Sequence, residues 1–407
     1  MSRKSSYGYS SYGSHSYKSG GYRNNRRKNK KKKIIIAAII AVLILAAAAA
    51  AIYFFFLKDN SDSKNEENNP QQSSVVSEAS KEVQESSEEV QESSEESIAD
   101  VSENPNIKGY YDGNVFVYDN QGYEMFYGTN SAAKQYSAIV SSIKKSLGDD
   151  VNVYNMVVPT HSAYGIPKSY RDTANDQYEN IQTIYSSYST DVKFIDVYDT
   201  INKHKNEYVY FHTDHNWTAL GAYYAYGDFC ETAGLDAVEL ESLSGGSIEN
   251  FKGALLAATK TDSNPDGNKD LLSNPDTVNY YNIPGNYTCH LLERGSDEEK
   301  VVPLIATFAQ GSNAYSAFIW GDNPYMKITT DNKNGKKLCI IKDSYGCAFA
   351  PYTVTNYEEV YIVDPRYYEG NILDYIKKNN YTDVLVINSV MTANTQVRME
   401  ELKSILK

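Results

Sequence analysis

Two stretches of this chain carry residue types that can do covalent chemistry. The first is Tyr210-Phe-His-Thr-Asp-His-Asn-Trp-Thr-Ala-Leu-Gly-Ala-Tyr-Tyr-Ala-Tyr226. It reads as a short strand, a polar turn with one Asp and two His, and then an amphipathic helix. Asp214 beside His212 and His215, just ahead of a helix, suits a carboxylate that orients an imidazole base. The plainer alternative is that Asp214 or Thr218 caps the helix and the histidines face water. The second stretch is Leu338-Cys-Ile-Ile-Lys-Asp-Ser-Tyr-Gly346. Here an apolar strand runs into Asp343-Ser344 and a stretch that reads as a helical turn. At such a strand end Ser344 can present its hydroxyl to a cleft, with backbone N–H groups after it to hold an oxyanion. Capping of the turn is again the plain alternative. Taken together, the two stretches supply Ser, His and Asp for acyl transfer.

Weaker candidates lie at other strand ends. Asn388 follows Val384-Leu-Val-Ile and is either a donor to substrate or a turn residue. Arg366 can hold a sugar, a carboxylate or an acetyl donor, or pair with Asp364 or Glu369. His161, in Pro159-Thr-His161, is a spare base. No Cys or His spacing matches a metal site, so neither a metal nor a cofactor is expected. Cys230 and Cys339 lie in apolar segments where a buried free thiol is usual.

The elements that must position these groups follow from the apolar pattern. Continuous β-branched runs near residues 151, 192, 338, 360 and 384 predict a parallel sheet covered on both faces. Further strands are read at Asn114–Tyr118 and Tyr208–Phe211. Helices fit Ser131–Leu147, Asn175–Tyr188, Ala219–Ala233, Ile372–Asn379 and Thr395–Leu406. Strands alternating with helices give an α/β layered fold. The Gly/Asn/Asp-rich stretch from Gly245 to Lys336, with weaker strand signals near Val278–Tyr281, Cys289–Leu292 and Val301–Phe308, reads as an inserted β or irregular subregion.

The Asp214-His-Asn-Trp-Thr segment with its Gly-Ala-Tyr-Tyr-Ala-Tyr helix resembles the DHHW family of bacterial surface proteins. So do Val157-Val-Pro-Thr160, Lys342-Asp-Ser-Tyr-Gly346 and Val363-Asp-Pro-Arg-Tyr-Tyr368. That family is similar to the SGNH-hydrolase-like proteins that O-acetylate alginate. The resemblance spans most of residues 107–407. It implies a flavodoxin-like SGNH fold, Ser344 as nucleophile, Asp214 as the orienting acid, and the Asp/His segment ahead of the Ser, opposite to classical SGNH hydrolases. One departure bears on chemistry. The related acetylating proteins place a His two residues after the Asp, and this chain has Asn216 there. Asn cannot take a proton from Ser at neutral pH. Either His215 or His212 then serves as base, or the site binds without turnover. With His215 as base the expectation is an esterase or O-acetyltransferase acting on cell-envelope polysaccharide. The alternative is an inactive domain that binds such polysaccharide.

The first hundred residues differ in kind. Residues 1–33 are Ser/Gly/Tyr-rich and then basic, which predicts a disordered tail. Residues 34–57 are 24 in number and uncharged, enough for a membrane span. Tyr53 to Phe56 suit the interface, and the basic flank places the N-terminus inside and the remainder outside the cytoplasm. Residues 58–106 form an acidic Ser/Glu-rich spacer; its two heptads, with one apolar position each, are too few for a coiled coil. The net charge of the chain is −13, and no basic stripe for nucleic acid is present in residues 107–407. An extracytoplasmic transferase would also need a membrane partner to deliver acetyl groups.

Overall fold

A computed structural model describes residues 101–407. The basic tail, the expected span at 34–57 and nearly all of the acidic spacer lie outside the described residues. No helix among the described residues is long and apolar enough to cross a membrane.

A three-stranded antiparallel meander comes first: β1 (Tyr110–Asp112), β2 (Val115–Tyr118) and β3 (Gln121–Tyr123). Helix α1 (Asn130–Leu147) follows, its N-cap Thr129 accepting from the Ala132 N–H. Then come β4 (Asn152–Val158), helix α2 (Gln177–Ser186), β5 (Lys193–Ile195) and helix α3 (Ala219–Ala233). Strands β6 (Gly245–Phe251) and β7 (Asp276–Tyr281) pair antiparallel as a separate ribbon. The remaining strands are β8 (Tyr287–Leu292), β9 (Glu299–Val302), β10 (Tyr325–Thr330), β11 (Lys337–Lys342), β12 (Glu359–Val363) and β13 (Asp383–Ser389). Further helices include α4 (Tyr345–Phe349), α5 (Ile372–Lys378) and α6 (Gln396–Ser404).

The central sheet has eight strands in the order β5-β4-β13-β11-β12-β10-β8-β9. The five strands expected to be parallel are parallel. β13 is buried at every residue, and β4, β11 and β12 at every residue after the first. That pattern requires cover on both faces. The sheet is larger than the parallel one expected from sequence. β10, β8 and β9 extend it antiparallel, so the inserted subregion adds strands to the main sheet. Burial in these strands alternates, as in a half-solvated antiparallel edge. Tyr208–Phe211 is not a strand. It is one arm of a hairpin-like loop closed by a single bridge between Tyr210 and Trp217.

The order of the parallel strands carries information of its own. Counted along the chain from β4 they lie as 2-1-5-3-4, which is not the flavodoxin-like 2-1-3-4-5. Counted from β11 through β12, β13, β4 and β5 they lie as 2-1-3-4-5. The spatial fold is flavodoxin-like and the chain runs through it cyclically permuted. The switch point, where ligands bind in such sheets, falls between β11 and β13. Ser344 lies just beyond the end of β11.

Candidate functional site

Ser344 opens the five-residue helix α4, directly after β11. Asp343 before it fixes the turn. Its Oδ1 accepts from the Tyr345 N–H at 3.0 Å and its Oδ2 from the Ser389 N–H, at the end of β13, at 2.8 Å. Gly346 permits the close approach of α4 to the sheet, since a Cβ there would stand 2.5 Å from the Lys342 Cβ.

The second loop, residues 211–216, is held by Asp276 at the start of β7. This carboxylate is 1% exposed. It accepts from the Tyr208 hydroxyl at 2.6 Å, from the N–H groups of His212 and Thr213 at 2.7 and 2.8 Å, and from the Thr213 hydroxyl. Thr218, not Asp214, caps α3, accepting from the Gly221 N–H. Two bonds lock the two loops together: the Trp217 indole donates to the Tyr345 carbonyl at 2.9 Å, and the Tyr345 hydroxyl donates to the His215 carbonyl. Tyr315, from the 311–317 turn, donates its hydroxyl to the Ser344 carbonyl at 2.9 Å.

Between these loops runs one hydrogen-bonded line. The Ser344 hydroxyl donates to Asn216 Oδ1 at 2.9 Å. Asn216 Nδ2 donates to Asp214 Oδ1 at 2.7 Å, and the Asn216 N–H reaches the same oxygen at 3.0 Å. Asp214 Oδ2 accepts from the Ala254 N–H at 2.7 Å. An Asp–His–Ser triad has the same connectivity with imidazole in the middle. Here an amide stands in the middle: it offers the donor toward Asp214 and the acceptor toward Ser344, but it has no basic nitrogen.

The three histidines stand off this line. His215 is beside it, with Nε2 3.5 Å from Asn216 Nδ2 and Nδ1 3.9 Å from Asp214 Oδ1. Its side chain is 30% exposed. Burial disfavours its charge, but Asp214, Glu124, Asp343 and Asp322 together outweigh burial and raise its pKa. His212 turns away, its Nδ1 3.2 Å from Asn274 Nδ2. His161 is stacked on Tyr210, ring centroids 5.0 Å apart.

The foreseen oxyanion donors are mostly in use. The Tyr345 N–H serves Asp343 Oδ1, the Gly346 N–H serves the Asp343 carbonyl at 3.1 Å and the Cys347 N–H serves the Ser344 carbonyl at 3.1 Å. They are engaged because α4 is tight and only five residues long.

Asn388 and Arg366 belong to neighbouring structures. Asn388 Oδ1 accepts from the Tyr136 hydroxyl at 2.8 Å, and Tyr136 accepts in turn from Asn155 Nδ2. Arg366 pairs with Asp364 and with Asp322 at 2.8 Å, and not with Glu369. Lys342 joins the same cluster, 2.8 Å from Asp322 and 3.1 Å from Asp364. Burial opposes ionisation of Asp322, but Lys342 and Arg366 override it and hold the carboxyl well below its usual range. The four cysteines are buried free thiols.

Sequence reading missed three residues. Glu124, just after β3, has its pKa raised by burial; His215 opposes the rise, and Asp214 and Asp343 add to it. Asp276 anchors the loop, yet in sequence it is one acid in a polar stretch. Gly253 lies against Asp214, where a Cβ would come within 2.3 Å of the Asp214 Cβ. A lone Gly ahead of the apolar Ala254–Ala258 turn was its one visible signal.

Comparison with known proteins shows the family and the fold. A model of the DHHW protein family matches residues 57–363. A DHHW family protein of Eubacterium siraeum is 34% identical, with a TM-score of 0.67 over 74% of this chain and 98% of the other. This chain belongs to the DHHW family. Bacillus cereus PatB1, solved with a sulfonyl adduct, has the same fold at 18% identity, with a TM-score of 0.57 over 72% of this chain and 98% of the other. The O-acetyltransferase domain of Pseudomonas putida AlgJ is more distant, at 15% identity and a TM-score of 0.39 over 73% of this chain and 98% of the other. No curated protein matches the chain.

Proposed function

We propose that this chain is a membrane-anchored, extracytoplasmic SGNH-like protein of envelope-glycan O-acetylation, and that its Ser344 site holds glycan without turning over an ester. The observation that carries this reading is the Ser344 hydroxyl donating to Asn216 Oδ1 at 2.9 Å. A nucleophilic Ser needs a group that takes its proton as the bond to carbon forms. An amide oxygen accepts a hydrogen bond but not the proton. Asp214 cannot supply the base through it, because the amide nitrogen is not basic and cannot relay a proton. The line therefore spends the one Ser344 proton on Asn216 and leaves the hydroxyl oxygen as an acceptor, a role suited to a glycan hydroxyl. The anchor rests on the uncharged stretch at 34–57 and its basic flank. A binding protein at the membrane needs no acetyl donor of its own, but can present glycan to a membrane partner that has one.

A second reading is favoured by His215. With 30% of its side chain exposed and Nε2 3.5 Å from the Asn216 amide nitrogen, it is the imidazole beside the line. In that reading His215 is the base of an esterase or O-acetyltransferase, with Ser344 as nucleophile and Asp214 as orienter.

The discriminating experiment measures two quantities in wild type and Ser344→Ala: acetyl release from a chromogenic ester and from acetylated glycan, and binding of envelope glycan. Binding in both proteins with turnover in neither is expected. Turnover by wild type that is lost in Ser344→Ala overturns the binding reading in favour of the catalytic one.

A further inference from the structure

A separate cleft of about 460 Å³ opens between the β2–β3 turn and residues 205–212. Its volume lies within the range of small-ligand sites. It does not include Ser344, yet it shares the 211–216 loop with that site. Tyr123 lines the cleft while the next residue, Glu124, acts on His215 and Asp214. His212 lines the cleft while Asp214, two residues on, begins the Ser344 line. Two residues of chain span at most about 7 Å, so the cleft and the Ser344 line are neighbours along the same loop.

The lining defines a ligand. His161 sits between Tyr123 and Tyr210, with ring centroids 4.8 and 5.0 Å away. Its Nδ1 is buried and has no hydrogen-bond partner among the described residues, a state that costs free energy until a ligand or water fills it. Burial, and His212 nearby, push its pKa down to about 3, so the ring is neutral. Gly165 makes room for this stack, since a Cβ there would stand 2.5 Å from His161 Nε2. Gln121 and Asn206 add amide groups at the wall. Aromatic surface with a few polar groups is what binds a sugar ring. Charge selects which sugar. Histidines aside, Lys205 is the one cation lining the cleft, against Asp119 and Glu207. That balance disfavours a uronate or phosphate.

From this lining we infer that the cleft is a subsite for an uncharged pyranose, next to the Ser344 site on the same glycan chain. The inference rests on the glycan-binding reading above and adds the substrate class: a neutral envelope glycan and not a polyanionic one.

The test is calorimetric titration of the full chain with an N-acetylated chito-oligosaccharide and with an oligouronate of equal length. The neutral oligomer is expected to bind wild type, and the uronate to bind at least about tenfold more weakly. His161→Phe keeps the ring stack and removes both nitrogens; it is expected to weaken neutral binding by about tenfold. Gln121→Ala, at the wall, is expected to weaken it a few-fold and keeps the test decisive if His161→Phe does not fold. Equal or tighter uronate binding overturns the inference. So does neutral binding that neither variant weakens, or binding of neither oligomer. Failure of the non-catalytic reading shows separately, as ester turnover by wild type, and leaves these affinities unchanged.

Discussion

Replacing Asn216 by His restores the one atom type that the Ser344 line lacks. The donor from position 216 to Asp214 Oδ1 (2.7 Å) and the acceptor for Ser344 (2.9 Å) are already placed, and an imidazole offers the same pair across its two nitrogens. A positioned general base contributes about 10²–10⁴-fold to rate, or roughly 3–5 kcal/mol of barrier. Two features put the gain near the lower end. Asn216 is 3% exposed, so the larger ring must find space, and overpacking costs about 1–3 kcal/mol. The N–H groups of Tyr345 and Gly346 are also engaged, which limits oxyanion stabilisation. Asn216→His is therefore expected to raise kcat/KM for p-nitrophenyl acetate about 10²-fold. The gain should vanish in Asn216→His/Ser344→Ala and should grow with pH as the new imidazole loses its proton. A folded Asn216→His protein no faster than wild type would refute the reasoning. So would a gain that survives loss of Ser344.

Three further outcomes follow from the packing around the site. Gly253→Ala drives a methyl group into Asp214 and is expected to lower stability by about 1–3 kcal/mol and to weaken glycan binding; thermal denaturation and titration check the two effects. Lys342→Met leaves Asp322 and Asp364 with Arg366 alone, at a cost of about 3–5 kcal/mol in denaturant unfolding. His161 is held neutral down to about pH 3 and takes its proton near pH 6.5 when unfolded. Its contribution is thus intact above pH 6.5 and is lost as pH falls toward 3, by up to roughly 1.4 kcal/mol per pH unit. Acid unfolding of His161→Phe should accordingly begin at lower pH than that of wild type, and an unchanged acid midpoint would count against this account.

Much of the fold was legible because burial imposes a pattern on sequence. The runs around Val153, Leu338, Val360 and Val384 are apolar at successive residues, which only a strand covered on both faces requires, and they proved parallel. Helix α3 was legible to the residue, since Thr218 caps its start and Gly234, at φ +63°, ends it. Strand order was not legible, because pattern does not record which strands are neighbours. Tyr208–Phe211 read as a strand because its residues are apolar and aromatic; they are buried as one arm of a loop tied to Asp276. At the site, Ser344, Asn216 and Asp214 were legible as residue types at strand and helix ends. Their connection was not. Sequence left His212 and His215 open as bases, and the loop directs neither at Ser344, since Asp276 pins the backbone of His212 and Tyr345 the carbonyl of His215. Glu124 and Gly253 act across the fold from distant stretches, and nothing local marks them.

The central claim is that Ser344 has no base in its hydrogen-bonded line. It is tested most directly by treating the wild-type chain at neutral pH with a sulfonyl fluoride and measuring the intact mass, with peptide mapping of Ser344. An unactivated Ser does not attack the sulfur, so the account predicts an unmodified Ser344 in wild type and a sulfonylated one in Asn216→His. A wild-type protein carrying the adduct on Ser344 would contradict it and would make His215 the base to pursue.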